Sequence, residues 1–424
     1  MRTRTRRRLR RKGLTALVTL ALAGLVTAEP ALARDPRPTP NTQTRKAQAV
    51  SRWAFEKLDA AHKLLEAEKF AEVIEVLEDM KRRRNLSDQE RALMWQTYGY
   101  VYSSQEKYEE AVAAFEECLQ AGGLEPAVVL NLTYNMAQLY VILEKYERAI
   151  ELFGDWFAAT EKPNAGAHYM FAIAYLQTEQ FANAIPHAEQ AVAKAKAPKE
   201  SYLTLVLSLY FESKQYAKAV PVLESLVETF PKEVYWKQLS AVHAELGDNE
   251  RALAALEMAY FQGYLDSEGE LLNLAQLYLY NEVPYRAAQI VEEALAAGKV
   301  EGDAVSWQIL ADSWLQARER DKALEPLAKA AELAKDGNLY VRLGQLYLGE
   351  ERWAQAREAL RQGLRKGDVR NPGTVHLLLG IAYANDQQWE AAQRSFETAQ
   401  GYKDAERMAS AWLTNLEREK ALAQ

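Results

Sequence analysis

The stretch NLAQLYLYNEVPYRAAQIV, Asn273–Val291, reads as a helix, a turn at Pro284 and a second helix. Ala275 and Tyr278 lie on the first helix, and Ala287 lies near the start of the second. Two short helices cannot bury an apolar face by themselves, so the pattern predicts one unit of a larger array if it recurs along the chain.

The pattern recurs ten times, at steps of 33 to 38 residues. The start of the second helix holds Val73, Ala111, Ala149, Ala184, Ala219, Ala252, Ala287, Ala323, Ala356 and Ala392. Nine residues earlier, an aromatic ring occurs in eight of the ten units: Tyr102, Tyr140, Tyr175, Tyr210, Tyr278, Trp314, Tyr347 and Tyr383. Three residues earlier again, all units but one have a small residue: Ala61, Gly99, Ala137, Ala172, Ser240, Ala275, Ala311, Gly344 and Gly380. We call these the alanine, aromatic and small positions.

The spacing has a physical explanation in helix packing. A side chain no larger than alanine lets two helix backbones approach closely, and the ring beside it fills the remaining gap. In the first helix of the second unit, Trp95, Gly99 and Tyr102 stand at i, i+4 and i+7, which places them on one stripe. Each unit therefore buries one face against its neighbours, and the interior is continuous along the array.

These residues resemble the tetratricopeptide repeat (TPR). The clearest match is Trp95-x2-Tyr98-Gly99-x2-Tyr102, followed by Tyr108, Ala111, Phe115 and Cys118. The resemblance covers roughly residues 54–400. It implies an all-α protein, a right-handed superhelical solenoid of about ten TPR helix pairs, which we place at residues 51–402.

The last segment, residues 403–424, is expected to be a helix that caps the open end of the core, with Met408, Trp412 and Leu416 on one face. Glycines that follow second helices predict turns with positive φ, at 122, 123, 263, 298, 337 and 367. The path of the connections near residues 81–90 and 121–127 stays open.

The first 33 residues have the composition of a signal peptide. Seven arginines and Lys12 precede an apolar run from Leu14 to Val26, and the small-x-small triplet Ala31-Leu32-Ala33 follows it. The expectation is cleavage before Arg34, with an uncleaved anchor as the alternative, and either the general or the twin-arginine export route. Residues 34–50 are polar and proline-rich, and are expected to be a flexible lead-in. The expected location is periplasmic.

Charge and cysteine content limit the kinds of partner. Residues 1–33 contain eight basic residues and Glu29, so their removal changes the net charge from −7 to −14. An acidic surface argues against nucleic acid. Cys118 is the only cysteine, so no internal disulfide forms. No segment after the leader is apolar enough to span a bilayer, which predicts no direct membrane insertion after cleavage.

The sequence offers no catalytic constellation, and we predict no enzyme, no cofactor and no metal. The histidines are assigned to five separate repeats: His62, His168, His187, His243 and His376. Cys118 occupies a position held by alanine in other units, which favours a packing role over a nucleophile. An enzyme would need residues from distant repeats in one pocket.

The candidate binding surface is the stripe one residue beyond the packing stripe of each first helix. The predicted groove residues are Tyr100, Tyr134, Gln138, Tyr169, Ile173, Phe211, Gln276 and Tyr280. Rings and amides in one tract are typical of a protein or peptide interface; the alternative is that some rings only fill a narrow groove. TPR domains that hold a terminal carboxylate use lysine and asparagine here, and only Lys237 matches.

Two consecutive segments, VYWKQLSAVHAELGDNERALAALEMAYFQGYL (234–265) and ELLNLAQLYLYNEVPYRAAQIVEEAL (270–295), carry a narrower resemblance. Together with the leader, they are similar to periplasmic TPR proteins associated with TonB, ExbB and ExbD systems. That resemblance implies a non-catalytic accessory adaptor of TonB-dependent transport, with TonB, ExbD or an outer-membrane transporter as partner. The alternative is a scaffold for outer-membrane or peptidoglycan assembly factors.

Overall fold

The computed structural model describes residues 50–422, and side chains as far as residue 420. The predicted leader, and the lead-in before residue 50, lie outside these residues. Every regular element in the described range is a helix, and none of its residues lies in a strand. The all-α fold that the TPR resemblance implies is confirmed. The chain divides into two compact units, unit 1 up to Phe230 and unit 2 from Pro231.

Unit 1 contains five helix pairs, which are repeats 1 to 5. In each pair the first helix is odd-numbered and the second is even-numbered. The helices are α1 (Arg52–Glu66), α2 (Phe70–Lys81), α3 (Asp88–Ser104), α4 (Tyr108–Ala121), α5 (Pro126–Ile142), α6 (Tyr146–Ala159), α7 (Ala165–Gln177), α8 (Phe181–Lys194), α9 (Glu200–Glu212) and α10 (Tyr216–Thr229).

Unit 2 contains repeats 6 to 10 and one additional helix. The helices are α11 (Glu233–Glu245), α12 (Asn249–Phe261), α13 (Glu268–Tyr280), α14 (Pro284–Ala296), α15 (Ala304–Gln316), α16 (Arg320–Leu333), α17 (Asn338–Gly349), α18 (Trp353–Lys366), α19 (Pro372–Asn385), α20 (Trp389–Gln400) and α21 (Glu406–Leu422). None of the helices within residues 50–422 combines the length and the apolarity that a membrane span requires.

The alanine position is completely buried in every repeat. All ten residues there, Val73 included, are 0% exposed. The small position is also buried, and at Gly99 a Cβ atom would lie 2.1 Å from the Phe115 ring of the paired helix. The spacing in the sequence therefore marks the points where helices cross most closely.

The turn between the two helices of each repeat has one conformation throughout both units. The residue five before the alanine position has a positive φ in all ten repeats; it is glycine only at Gly247. The next residue donates its backbone N–H to the carbonyl of the aromatic position at 2.8–2.9 Å, as Lys145 does to Tyr140. This six-residue closure is the Schellman arrangement, which satisfies carbonyls at the helix end. The other positive-φ residues at this place are Glu68, Glu106, Glu144, Glu179, Lys214, Glu282, Arg318, Glu351 and Gln387.

The glycines that follow second helices behave as predicted with one exception. Gly122, Gly123, Gly263, Gly298 and Gly367 have positive φ values. Gly337 does not: its φ is −85°, and it is the residue immediately before α17. The prediction of positive φ at Gly337 is wrong because this glycine starts a helix; a Cβ atom there would lie 2.0 Å from the Gly363 carbonyl oxygen.

Helix α21 packs on the last repeat. Its Trp412 ring stacks on Phe396 at 5.6 Å, and Leu416 is buried. The predicted apolar face is wrong at Met408, which is 57% exposed, while its neighbour Ala409 is fully buried. Ala409, Trp412 and Leu416 follow the i, i+3, i+7 spacing, so Ala409 takes the place on the packed face that the sequence prediction gave to Met408.

Candidate binding surface

The predicted groove residues in unit 1 lie on the first helices α3, α5, α7 and α9. We call their positions the first-helix face: Tyr100, Tyr134, Gln138, Tyr169, Ile173 and Phe211. The first helices of repeats 3, 4 and 5 contact one another, α5 with α7 and α7 with α9. Side chains on this face therefore meet across repeat boundaries.

Tyr100 is held by amides from two repeats. The Gln96 Nε2 donates to the Tyr100 hydroxyl at 3.2 Å, and the Asn135 side chain of the next first helix also bonds this hydroxyl. Burial raises the pKa of Tyr100, although both amides oppose the shift. The ring packs edge-on against Phe115 at 5.5 Å. Tyr100 is half-buried, so its remaining edge is available to a ligand.

Tyr134 and Gln138 form the next part of the face. The Tyr134 ring lies 4.7 Å from Trp156 and packs edge-on against Phe153 at 6.0 Å. The Gln138 side chain hydrogen-bonds the Tyr134 hydroxyl, which partly offsets the effect of burial in raising the pKa of Tyr134. Both side chains are half-buried. Together they expose one aromatic edge and one amide, and the contacts with Trp156 and Phe153 hold the Tyr134 ring in place.

Tyr169 and Ile173 are buried, in agreement with the alternative that some of these side chains fill a narrow groove. Tyr169 is 9% exposed and stacks on Tyr202 at 4.6 Å, while Ile173 is 6% exposed. The contact of α7 with both α5 and α9 closes this part of the face. These two residues fill the centre of the face, and their predicted part in binding stays untested.

Sequence reasoning missed Tyr202 and Trp156. Tyr202 lies next to the packing stripe of α9, where the sequence pattern assigns no inward role, yet it covers Tyr169. Trp156 belongs to a second helix, α6, and supports Tyr134 from behind. Trp156 carries a signal that could have found it, because it lies one helical turn from Phe153, the ring that packs against Tyr134. No such signal marks Tyr202, which lies nine residues before Phe211, the predicted groove residue on α9.

The remaining predicted residues are distributed over both units. Phe211, at the end of α9, is half-buried and lies 6.4 Å from the Tyr216 ring. Gln276 and Tyr280 belong to α13 of unit 2, where both are exposed and Tyr280 is 70% exposed. The structure therefore places six of the eight predicted residues on first helices of unit 1, and the other two on α13 of unit 2.

Family comparisons agree with the helix geometry. One tetratricopeptide repeat model matches residues 92–121, and a second matches residues 134–201 and 341–406. These segments are tetratricopeptide repeats. Neither matching model describes an enzyme. A comparison with curated proteins found no match.

Several solved structures of TPR proteins are similar to this chain. A tetratricopeptide repeat protein from Parabacteroides merdae is 16% identical, with a TM-score of 0.37, over 62% of this chain and 99% of that one. MamA is 19% identical over 40% of this chain and 90% of its own, with a TM-score of 0.34. YrrB, described as a TPR protein with an unusual peptide-binding site, is 20% identical over 40% and 84% of the two chains, with a TM-score of 0.35.

The lysine that resembles a TPR carboxylate clamp is already paired. The Lys237 ammonium donates to the carboxylates of Glu233 and Glu270. The bond from Lys237 lowers the pKa of Glu270 to about 2. Glu270 also caps the start of α13 through Ser267. A ligand carboxylate would have to displace two internal ones, so Lys237 is a structural cation that joins α11 to α13.

The histidines are not all separate, as the sequence prediction had them. His168 of α7 and His187 of α8 belong to one TPR, and their Nδ1 atoms lie 3.0 Å apart. The prediction is wrong because the two helices of that repeat bring the Nδ1 edges of the rings together, beside Phe157. Burial, with the nearby His187, lowers the pKa of His168 to about 4. The pair is a neutral hydrogen bond at neutral pH.

Cys118 is not placed as a reactive thiol. Cys118 is buried, and burial raises the pKa of its thiol to about 11. A thiol with a raised pKa is a weak nucleophile at neutral pH. Among residues 50–420, no three side chains of the His, Cys, Asp and Glu types converge on a position suited to a metal ion.

Proposed function

We propose that this protein is a non-catalytic scaffold that binds a protein or peptide segment on the first-helix face of unit 1. The observation that carries the proposal is the pair of half-buried sites at Tyr100 and Tyr134, each with an amide beside a fixed ring. Rings of this kind bury apolar side chains, while amides exchange hydrogen bonds with a peptide backbone.

The chemistry of the face favours an uncharged stretch of the partner. The six predicted residues on unit 1 carry no formal charge, and the neighbouring positions on α9, Thr204 and Ser208, are also neutral. Burying a charged partner group against neutral rings would cost several kcal/mol, by typical desolvation penalties of about that size. An extended segment with apolar or aromatic side chains fits best.

We further propose that the partner belongs to a TonB-type energised transport system in the periplasm. The resemblance of residues 234–265 and 270–295, and the signal-like composition of residues 1–33, support this assignment. TonB, ExbD and an outer-membrane transporter are the candidate partners. The second candidate function is a scaffold for outer-membrane or peptidoglycan assembly factors, which the same face would also serve.

Site-specific photo-crosslinking in intact cells tests both the proposed binding face and the proposed partner. The probe replaces Tyr100, Tyr134 or Gln138 in unit 1 and Tyr280 in unit 2, and the adducts are identified by mass spectrometry. A probe at Glu117, which is exposed on the second helix α4, is the matched control. Tyr169 is unsuitable because a probe there would be enclosed by Tyr202.

The outcomes show separately whether the first-helix face binds a partner and which partner it binds. Adducts at the first-helix face and none at Glu117 support the binding face. Adducts to TonB, ExbD or a transporter support the adaptor; adducts only to assembly or cell-wall factors favour the second function. If Glu117 reacts as strongly as Tyr100 and Tyr134, the first-helix face is not the binding site.

A further inference from the structure

The histidine pair of repeat 4 is adjacent to the first-helix face. His168 of α7 directly precedes Tyr169, which belongs to that face, and its Nδ1 atom lies 3.0 Å from the Nδ1 atom of His187 on α8. The two ring centres are 5.2 Å apart. The pair therefore lies in the repeat that supplies two residues of the face, Tyr169 and Ile173.

A chain of ring contacts joins the histidine pair to Tyr134 of the face. The Phe157 ring packs edge-on against both histidine rings, with its centre 4.9 Å from each of theirs. Phe157 also packs edge-on against Trp156 at 5.2 Å, and the Trp156 ring lies 4.7 Å from Tyr134. Both middle rings belong to α6, so a change in the position of the histidine rings reaches Tyr134 through side chains that are already packed together.

The pair has protonation states that require different geometries. When both rings are neutral, one Nδ1 atom donates a hydrogen bond to the other. A first proton charges an imidazole that packs against Phe157 and not against water. A second proton leaves two N–H groups facing each other, and the hydrogen bond is lost. Proton uptake therefore favours a conformation in which the two rings separate and reach water.

The groups around the pair do not compensate a positive charge on it. Burial, then the neighbouring His187 and Lys194, lowers the pKa of His168 to about 4, and burial lowers the pKa of His187. Tyr175 of α7 faces His187 with the ring centres 6.1 Å apart, and burial raises its pKa, so its hydroxyl stays neutral. Helix α5 carries no charged side chain. The charged residues of α6 and α9 are not among the causes of either histidine shift: Glu147, Arg148, Glu151, Asp155, Glu200 and Glu212.

We propose that the histidine pair is a proton-operated switch, which holds the first-helix face in its binding conformation at neutral pH and releases the ligand on acidification. This inference rests on the proposed binding function of that face. In the closed state, the hydrogen-bonded pair holds Phe157, and through it Trp156, against Tyr134. In the open state, the two imidazoles separate, and the Tyr134 ring loses its fixed position. A ring that is already ordered binds a ligand more tightly, because less conformational entropy is lost on binding.

Hydrogen exchange of the protein recovered from cells tests the opening without any ligand. The main variant combines His168→Phe with His187→Phe, which keeps two rings and removes both proton-binding groups; His168→Phe alone is the second variant, used if circular dichroism shows that the double variant is unfolded. The matched control is His376→Phe, which changes a half-buried histidine of unit 2 that stacks on Tyr402 at 5.8 Å. Comparing proteins at the same pH removes the intrinsic pH dependence of exchange.

The size of the expected effect follows from two pKa values, about 4 for His168 in the closed pair and about 6.5 for an exposed histidine. The open state gains about tenfold per pH unit as the pH falls from 6.5 towards 4, and almost nothing above 6.5. Between pH 7.5 and pH 5, the opening of α6 and α7 should therefore rise about thirtyfold more in the parent and in His376→Phe than in the double variant. Helix α15 of unit 2 should respond alike in all of them.

Photo-crosslinking tests the effect on the ligand. The probe replaces Gln138, which leaves Tyr134 and Trp156 in place, and the adduct found in intact cells is then measured in lysed cells adjusted to pH 7.5 or to pH 5. The yield should fall severalfold at pH 5 in the parent and in His376→Phe, and should stay constant in the double variant.

The two measurements distinguish a failure of the switch from a failure of the binding function. The switch is overturned if α6 and α7 open equally in the parent and the double variant at pH 5, or if the double variant loses its adducts as steeply as the parent. Absence of adducts at both pH values would overturn the proposed function, and hydrogen exchange would still decide whether the histidines open the face.

Discussion

The hydroxyl of Tyr210 donates a 2.6 Å hydrogen bond to the carboxylate of Glu189 and so joins repeat 5 to repeat 4. Tyr210 occupies the aromatic position of α9, and Glu189 lies five residues after the alanine position of α8. Tyr140 with Glu116, at 2.8 Å, and Tyr278 with Glu257 repeat the arrangement. Burial and the neighbouring carboxylate raise the pKa of Tyr210, so the phenol stays protonated and remains a donor. At these three aromatic positions, the ring therefore links neighbouring repeats as well as filling space.

Tyr210→Phe is expected to destabilise unit 1 by about 1 kcal/mol, since an average hydrogen bond contributes about that much and water can reach the exposed Glu189. Glu189→Met, which removes the acceptor and keeps a similar helix propensity, should cost a similar amount, and the double variant should cost little more than either change alone. Urea unfolding of the four proteins gives the coupling between the two side chains directly.

Tyr175→Phe is the matched control for this effect. Tyr175 holds the same position in α7, but the corresponding residue of α6 is Gly154, which offers no carboxylate. Its hydroxyl should contribute nothing to the link between repeats 3 and 4. Equal losses for Tyr175→Phe and Tyr210→Phe would show that the inter-repeat hydrogen bond is not the source of the stability.

Glu144→Gly is expected to stabilise the protein by about 0.5–1 kcal/mol. Glu144 has a φ of 57°, a conformation that costs a side chain about 1–2 kcal/mol and glycine almost nothing. The greater freedom of glycine in the unfolded chain offsets part of the gain. Glu144→Val should destabilise, because a β-branched residue is strained further there. Thermal melts of both variants measure the two signs.

Glu117→Gly is the control for the effect of glycine in a regular helix, because Glu117 lies in the regular part of α4. The expected loss of stability there is about 1 kcal/mol. Stabilisation at Glu144 together with destabilisation at Glu117 assigns the effect to backbone conformation. A loss at both positions would mean that the Glu144 side chain stabilises the turn in another way.

Gly99→Ala is expected to cost about 1–3 kcal/mol, the range for overpacked cores. The added Cβ atom would lie 2.1 Å from Phe115, a ring that is itself buried and supports Tyr100. The same variant should therefore also weaken any ligand of the first-helix face. Gly154→Ala is the matched change: nothing lies within 4 Å of its Cβ atom, so it should raise helix stability by about 0.5–1 kcal/mol. Urea midpoints of the two variants should move in opposite directions.

The sequence was informative wherever a property repeats with the helical unit. Residue size at the alanine and small positions depends on contacts within one helix pair, so ten copies made the signal strong. The burial of Tyr169 depends instead on how closely α7 approaches α5 and α9, which varies from repeat to repeat and leaves no periodic trace. The positive-φ residue in the turn between the two helices of each repeat was not predicted, for a different reason. In nine of the ten repeats this residue has a charged or amide side chain and is not glycine.

Acidification should loosen repeat 4 through its histidine pair. With the Nδ1 atoms of His168 and His187 3.0 Å apart, one ring must donate and the other must accept. Burial lowers the pKa of His168 to about 4, with further lowering from His187 and Lys194, and burial also lowers the pKa of His187. Because the unfolded chain binds protons at its ordinary value near 6.5, stability is complete above that pH and falls as the pH drops towards 4.

The shift of the pKa of His168 corresponds to about 3 kcal/mol, at about 1.4 kcal/mol per pKa unit. His168→Phe removes the proton-binding group and keeps a ring against Phe157, so its stability should vary less between pH 6.5 and pH 5 than that of the parent. The measurement is the urea midpoint of both proteins across pH 5–7.5, with hydrogen exchange of α7 and α8 as a local probe. Taking the difference between the two urea midpoints at each pH removes the contribution of the carboxylates, because these titrate in both proteins. Parallel pH curves would show that the pair keeps its hydrogen bond after it takes up a proton.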